Sequence, residues 1–119
     1  MTETQTTQTL TTEELRDILA AHAKWLAGDK NGKRADLSSL DCRYMDFSGA
    51  DLRKAKLING DYSFADFSGA DMTGAIMSFS NFYCADFSHA VLDDVLCKWG
   101  DFGGTIWESV STKGAEFLD

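Results

Sequence analysis

Beyond residue 34 the chain keeps a five-residue beat of apolar positions. Leu37, Cys42, Phe47, Leu52 and Leu57 open a series that runs to Phe117 and is broken only at Thr112. Two places before most of these stands a small residue, as at Ala35, Ala55, Ala65, Ala75 and Ala85. Read in fives, 17 pentads fill residues 35–119 with no insertion. A helix repeats near 3.6 residues and a strand every two, so neither carries this pattern. A chain that turns a corner every five residues does carry it. Such a chain aims the first and third side chains of each pentad inward, the small one leaving room for the large one. Stacked turns of that chain pair backbone to backbone at about 4.8 Å.

Upstream the period becomes that of a helix. In "TTEELRDILAAHAKWLAG", Leu15, Ile18, Leu19, Trp25 and Leu26 fall at helical spacing. Thr11 and Glu14 spell a capping box, and Gly28 is placed to end the helix. "DKNGKR" reads as a polar turn. His22, near the apolar stripe, is expected to be partly buried and hydrogen-bonded. Residues 1–10, rich in Thr and Gln, are expected to form a disordered leader. The organisation is then one domain in three segments: leader 1–10, capping helix and turn 11–34, repeat 35–119. A stack of this kind exposes its ends, so Leu15, Leu19, Trp25 and Leu26 are expected to cover the first turn of the repeat. The last pentads are the least regular, with Thr105, Trp107, Val110 and Thr112. That end is expected to be loose or to meet a partner.

The stretch "ADFSGADMTGA", two near-copies of one phrase laid end to end, resembles the pentapeptide repeat family, whose phrase is A-(D/N)-L-x-x. "HAKWLAGDKNGKRADLSSLDC" is similar to the helical cap that precedes such repeats. The resemblance implies a mainly β fold, a right-handed quadrilateral β-solenoid of about four coils with an N-terminal α-helical cap. Each pentad would form one side, so equivalent sides recur every 20 residues.

The chain is also strongly acidic. The net charge of −8 argues against non-specific binding to nucleic acid or to an anionic membrane. Residues 1–34 hold five acids and five bases, so the repeat carries the whole excess. Its second position is acidic in ten of 17 pentads. On a four-sided coil these residues form rows: Asp41, Asp61 and Asp101 with Asn81 on one side, Asp46, Asp66 and Asp86 on the next, Asp51 and Asp71 on a third. Asp93 and Asp94 adjoin at one corner. Two readings follow. In one, Asp suits the position by bonding a corner amide and keeps the molecule soluble. In the other, rows of carboxylates imitate duplex DNA, which carries one charge per ~1.7 Å of axis. The expected acidic face is Asp41, Asp46, Asp61, Asp66, Asp71, Asp86, Asp93, Asp94 and Asp101.

Some relatives that the resemblance brings with it are acidic towers that imitate DNA and protect bacterial gyrase. They are longer and carry a C-terminal helix. The compact form read here is closer to a phage or mobile-element inhibitor of host defence, of an anti-CRISPR or anti-restriction kind. The expected partner is a DNA-binding protein or complex: a CRISPR surveillance complex, a restriction enzyme or a topoisomerase. Direct contact with nucleic acid or membrane is not expected, and the molecule is read as a monomer or a weak dimer through its C-terminal end. The alternative is a structural scaffold using an apolar strip of Ile76, Phe79, Leu96 and Trp99. Tyr44, Phe64 and Cys84 form another outward column.

Chemistry finds little footing. No Ser/His/Asp arrangement, phosphate loop or cleft is legible, so no enzyme and no cofactor is expected. Cys42, Cys84 and Cys97 have neither zinc-ligand spacing nor a disulfide pattern, so no metal is expected. Gly49, Gly69, Gly74, Gly104 and Gly114 sit at pentad corners, where backbone freedom explains them. The opening "MTETQTTQTL" lacks the basic start and apolar run of a signal peptide, and no apolar run nears the ~20 residues that span a bilayer. A cytoplasmic protein is expected.

Overall fold

The chain meets itself every twenty residues. In the computed structural model, which describes residues 8–118, parallel backbone bridges join Asp36 to Lys56, Asp46 to Asp66, Asp66 to Asp86 and Ile76 to Leu96, among others. Two positions of each pentad do most of this pairing. The third-position amide donates to a carbonyl 19 residues on, as Phe67 does to Asp86 at 2.8 Å. The fifth-position amide does likewise, as Gly69 does to Ser88 at 2.8 Å. Elements long enough to name are few: β1 (Gln8–Thr9), α1 (Thr12–Leu26), β2 (Leu40–Asp41), β3 (Leu96–Lys98) and β4 (Glu116–Leu118). Strand β1 pairs parallel with β2, and β3 with β4.

Corners explain why the strands are so short. Each fifth residue from Ser39 to Gly114 has φ between 57° and 72°. Glycine holds five of these sixteen positions. The rest include Tyr44, Phe64, Phe79 and Trp99, for which a left-handed backbone costs roughly 1–2 kcal/mol. Inside, the sequence pattern is realised. Ala35, Ala55, Ala65, Ala75 and Ala85 are buried, and so is every third-position residue from Leu37 to Cys97. Rings stack through the interior in two columns. Phe47, Phe67 and Phe87 lie 4.7 and 5.2 Å apart between successive centroids, and Tyr62, Phe82 and Phe102 lie 5.2 and 5.2 Å apart. The Tyr62 hydroxyl, buried among them, donates to the Leu37 carbonyl at 2.6 Å. Toward the other end the filling opens to solvent, with Trp107 and Phe117 exposed.

Helix α1 starts and stops as its sequence predicts. The Thr11 side chain accepts from the Glu14 amide and the Glu14 carboxylate accepts from the Thr11 amide, at 3.1 and 2.9 Å. Gly28, just past the helix, takes φ 82°. Leu15 is buried, with Ile18 and Leu19 packed against the same core. Trp25 stacks instead on His22 and lies beneath the Arg34 guanidinium. His22 is wholly buried and bonded at both ring nitrogens: Nδ1 accepts from the Ala35 amide at 2.9 Å and Nε2 donates to the Arg53 carbonyl at 2.8 Å. The leader is shorter than the sequence predicts. Residues 8–10 belong to the fold, since Gln8–Thr9 pairs with Leu40–Asp41 and Leu10 is buried; residues 1–7 lie outside the described chain.

The turn after α1 is tightly folded back on it. A Cβ at Gly32 would stand 2.1 Å from the Trp25 amide nitrogen and 2.5 Å from the Lys24 carbonyl carbon. Both are backbone atoms inside the helix, which cannot yield as a side chain does. Gly32→Ala should therefore lower unfolding free energy by about 1–3 kcal/mol, read as an earlier denaturant midpoint. An unchanged midpoint would mean that the turn shifts freely.

Candidate partner-binding surface

Four of the five amides in a pentad find backbone carbonyls, and the fourth-position amide is left over. The second residue supplies what it needs. Asp46 Oδ1 accepts from the Ser48 amide at 2.9 Å and from the Ser48 hydroxyl at 2.6 Å. Asp66 with Ser68, Asp61 with Ser63 and Asp71 with Thr73 repeat both bonds; Asp86 and Asp101 receive the amides of Ser88 and Gly103. Backbone donors shielded from water go unpaired only at a cost, and at Ser63, Ser68, Thr73 and Ser88 the bond is part-buried, so the aspartate has a structural task there. The exceptions confirm it. Where the second residue is Lys56 or Leu96, the orphaned amide of Ile58 or Lys98 turns to Ser38 Oγ or Ser78 Oγ, twenty residues back. Where it is Ser111, the Lys113 amide goes to Asp93 Oδ1. Asn81 does the same work uncharged, its Oδ1 accepting from the Tyr83 amide at 2.9 Å.

These bonds hold several carboxyls below the usual range. A side-chain hydrogen bond from the residue two ahead is the main cause at Asp36 (Ser38), Asp46 (Ser48) and Asp86 (Ser88). At Asp41 and Asp51 the leading cause is a bond from Arg43 and Arg53. Asp93 is held down by the Ser111 hydroxyl.

The bridges fix which carboxylates share a side. Asp46, Asp66 and Asp86 stand in one row, continued by Ile106. Asp41, Asp61, Asn81 and Asp101 stand in the neighbouring row, and Asp51, Asp71 and Val91 in a third. Not all of them offer free charge. Arg43 binds Asp41 through both oxygens, with contacts of 2.9 and 2.8 Å, and Arg53 binds Asp51 in the same way. Asp46, Asp66, Asp71 and Asp86 each use Oδ1 internally, while Oδ2 takes no internal hydrogen bond among the described residues. The side built from 45–49, 65–69, 85–89 and 105–109 contains Asp46, Asp66, Asp86 and Glu108 and no Lys or Arg. Asp94 is exposed at its corner.

Two exposed aromatic groups flank this arrangement. On the corner between the first two rows, Tyr44 stacks on Phe64 at 5.1 Å, and Phe64 meets Tyr83 edge-on at 5.9 Å. The sequence placed Tyr44 and Phe64 in one column; Tyr83, at a fourth position otherwise mostly polar, gave no signal. On another side Phe79 and Trp99 are exposed, beside the half-buried Ile76 and Leu96. These two rings make no ring-to-ring contact among the described residues. Cys42 and Cys97 are buried, and burial pushes their thiols up to about 12 and about 11. No helix among the described residues is long and apolar enough to cross a membrane.

Comparison with known proteins agrees with this geometry. Among curated proteins none matches the sequence. A pentapeptide repeat protein from the Arabidopsis thaliana thylakoid lumen is similar in structure, with 30% identity and TM-score 0.66, over 68% of this chain and 57% of that one. The chain thus spans little more than half the length of that relative. A pentapeptide repeat protein from Nostoc Pcc 7120 shares the fold at 16% identity and TM-score 0.56, over 95% of this chain and 99% of that one. QnrB1, a plasmid-mediated fluoroquinolone resistance protein, aligns at 26% identity over 74% of this chain and 49% of its own, with a TM-score of 0.35, too low for a structural argument. The family description "Pentapeptide repeats" matches in eight copies over residues 33–61 and 63–96. With more than half of its length matched, the chain belongs to the pentapeptide repeat family, whose members form right-handed β-helices.

Proposed function

We propose that this protein is a quadrilateral β-solenoid of about four coils, capped at its first coil by α1, that acts without catalysis as a surrogate for duplex DNA. It would occupy the DNA-binding site of a DNA-processing protein in the cytoplasm. The observation that carries this reading is charge beyond what the corner requires. Asn81 closes its corner without charge, yet ten second positions are acidic and one is Asn. The surplus is aligned in rows, and on the side that lacks Lys and Arg, Oδ2 of Asp46, Asp66 and Asp86 takes no internal hydrogen bond among the described residues. The two adjacent rows hold six carboxylates in eight positions, one per ~3.2 Å of axis at ~4.8 Å per coil, roughly half the linear density of the duplex, which carries one charge per ~1.7 Å. A groove that reads phosphates would be drawn to such a surface and then blocked by it. Within this class our reading is a phage or mobile-element counter-defence protein aimed at a CRISPR surveillance complex or a restriction enzyme. A topoisomerase such as gyrase is the other target of the same chemistry.

The corner bonds decide how to test it. Lysine at Asp66 or Asp86 would remove the charge and the amide acceptor together, confusing lost binding with lost fold. Asparagine keeps the acceptor, as Asn81 does. The triple variant Asp46→Asn, Asp66→Asn, Asp86→Asn should keep the wild-type melting temperature and lose capture of DNA-binding proteins from host lysate. Wild-type capture should weaken steeply with salt and yield to competing duplex DNA. Capture that survives the triple variant would sink the reading. A second reading, a scaffold contact through Ile76, Phe79, Leu96 and Trp99, draws on the exposure of Phe79 and Trp99, 54% and 62%. Phe79→Ala with Trp99→Ala would then abolish capture, and salt would matter little.

A further inference from the structure

We infer that the corner formed by Tyr44, Phe64 and Tyr83 is an arginine-binding ledge, on which planar guanidinium groups of a protein partner lie between two rows of carboxylates. This deepens the proposed function and rests on it, since it names the chemistry by which the target's basic groove would be recognised. Three observations support it. Tyr44 is 72% exposed, and Phe64 and Tyr83 are each 46% exposed, so the rings are not filling the interior. Their mutual geometry is a short column with a wall: Tyr44 stacks on Phe64, planes within 9° of parallel and centroids 5.1 Å apart, and Tyr83 stands at 83° to Phe64, so Tyr44 offers the most open face. The column lies where the chain passes from the row of Asp41, Asp61 and Asp101 to that of Asp46, Asp66 and Asp86. Above it, one period on, Gly103 and Gly104 add no side chain that could cover Tyr83 and Cys84.

Charge selects the occupant. The bases of nucleic acid also stack on aromatic rings, but their phosphates would be repelled by carboxylates on both flanks. The single base on these two sides is Arg43, and Asp41 already binds it through both oxygens. A cationic partner is therefore favoured, and arginine over lysine. The guanidinium lies flat on an aromatic face while its N–H edge reaches a carboxylate in the ring plane. An ammonium group offers a point charge to the carboxylates and little to the rings. Asp46 and Asp66 keep Oδ2 free for that edge.

Octa-arginine and octa-lysine peptides, titrated separately against the full chain by calorimetry at one fixed salt concentration, test this. The arginine peptide should bind roughly 2- to 5-fold more tightly, the worth of one contact with an exposed ring face. The double variant Tyr44→Gly, Phe64→Gly should erase that preference and leave the lysine affinity unchanged. Glycine relaxes the left-handed backbone at both positions, as Gly49 and Gly69 do in the repeat, so the fold should survive; its melting temperature checks that. Equal binding of the two peptides by the wild type overturns the ledge, and so does an arginine preference that persists in the glycine variant. The Asp46, Asp66, Asp86 to Asn variant separates the two ideas. If it weakens both peptides while the rings prove irrelevant, the DNA surrogate stands and the ledge falls; if it changes neither peptide, the acidic rows themselves have failed.

Discussion

Phe67→Ala will lower unfolding free energy by about 3–5 kcal/mol. Phe67 is fully buried at the middle of the tube, stacked between Phe47 and Phe87 at 4.7 and 5.2 Å and met obliquely by Tyr62 and Phe82 at 6.0 Å each. Truncation therefore empties a site whose neighbours cannot close in, because each ring sits on a backbone fixed by pairing to the periods above and below. Phe67→Leu refills part of the volume without the ring contacts and should recover more than half of the loss. Phe117→Ala is the control: the same residue type at the same pentad position is 42% exposed, so it should cost well under half as much. Denaturant midpoints for the three variants check the series. If Phe67→Ala costs under about 1 kcal/mol, backbone pairing and not side-chain filling holds the tube together, against the expectation for a buried aromatic.

Much of this was legible in the sequence because the repeat is a direct record of geometry. The third-position residues from Leu37 to Cys97 are buried as the five-residue beat requires, and the rows follow once twenty residues make one period. The capping box at Thr11 was equally plain, since both of its bonds are local. What was hidden depends on contacts that no local pattern records. Gln8–Thr9 joins the fold through backbone alone, its side chains exposed, so a polar stretch reads as leader; only Leu10 hinted otherwise. Tyr83 stays exposed because its neighbours a period later are Gly103 and Gly104, a relation across twenty residues. The pairing of Asp41 and Asp51 was not read from the sequence, since Asp-x-Arg spacing does not say that Arg43 and Arg53 turn back to meet both oxygens.

The aspartate of the repeat closes a corner of the fold and, under the proposed function, also supplies the charge. At Asp46, Asp66, Asp71 and Asp86 Oδ1 belongs to the corner while Oδ2 takes no internal hydrogen bond among the described residues, so corner closure and surface charge fall on the same position. This is why the two readings of the acidic rows are not exclusive, and why only a substitution that separates acceptor from charge can apportion them. Asn81 shows that the fold tolerates such a separation.

Stability should also depend on pH in two separate windows, and His22 sets the upper one. Burial holds its imidazole below the ordinary 6.5, outweighing the raising effects of the Arg53 carbonyl and the Asp51 carboxylate, while Arg34 and Arg53 push the same way as burial. The Ala35 amide donates to Nδ1, so that nitrogen must stay unprotonated while Nε2–H donates to the Arg53 carbonyl. The unfolded chain takes up a proton near pH 6.5 that the folded chain refuses. Stability is then complete above about pH 6.5 and is lost as pH falls toward the folded-state value, with a slope of at most ~1.4 kcal/mol per pH unit. The carboxyls of Asp36, Asp46, Asp51 and Asp86, held low in the folded state, add stability that is present above about pH 4 and lost only below it. His22→Ala should remove the upper window and leave the lower one. At neutral pH it orphans the Ala35 amide and the Arg53 carbonyl, costing about 1–3 kcal/mol for each buried group. Unfolding free energies measured from pH 8 to pH 3 in both proteins decide the matter. A wild-type curve flat between pH 6.5 and 5, or a slope there that His22→Ala retains, would show that the imidazole joining the helix to the repeat is not held neutral.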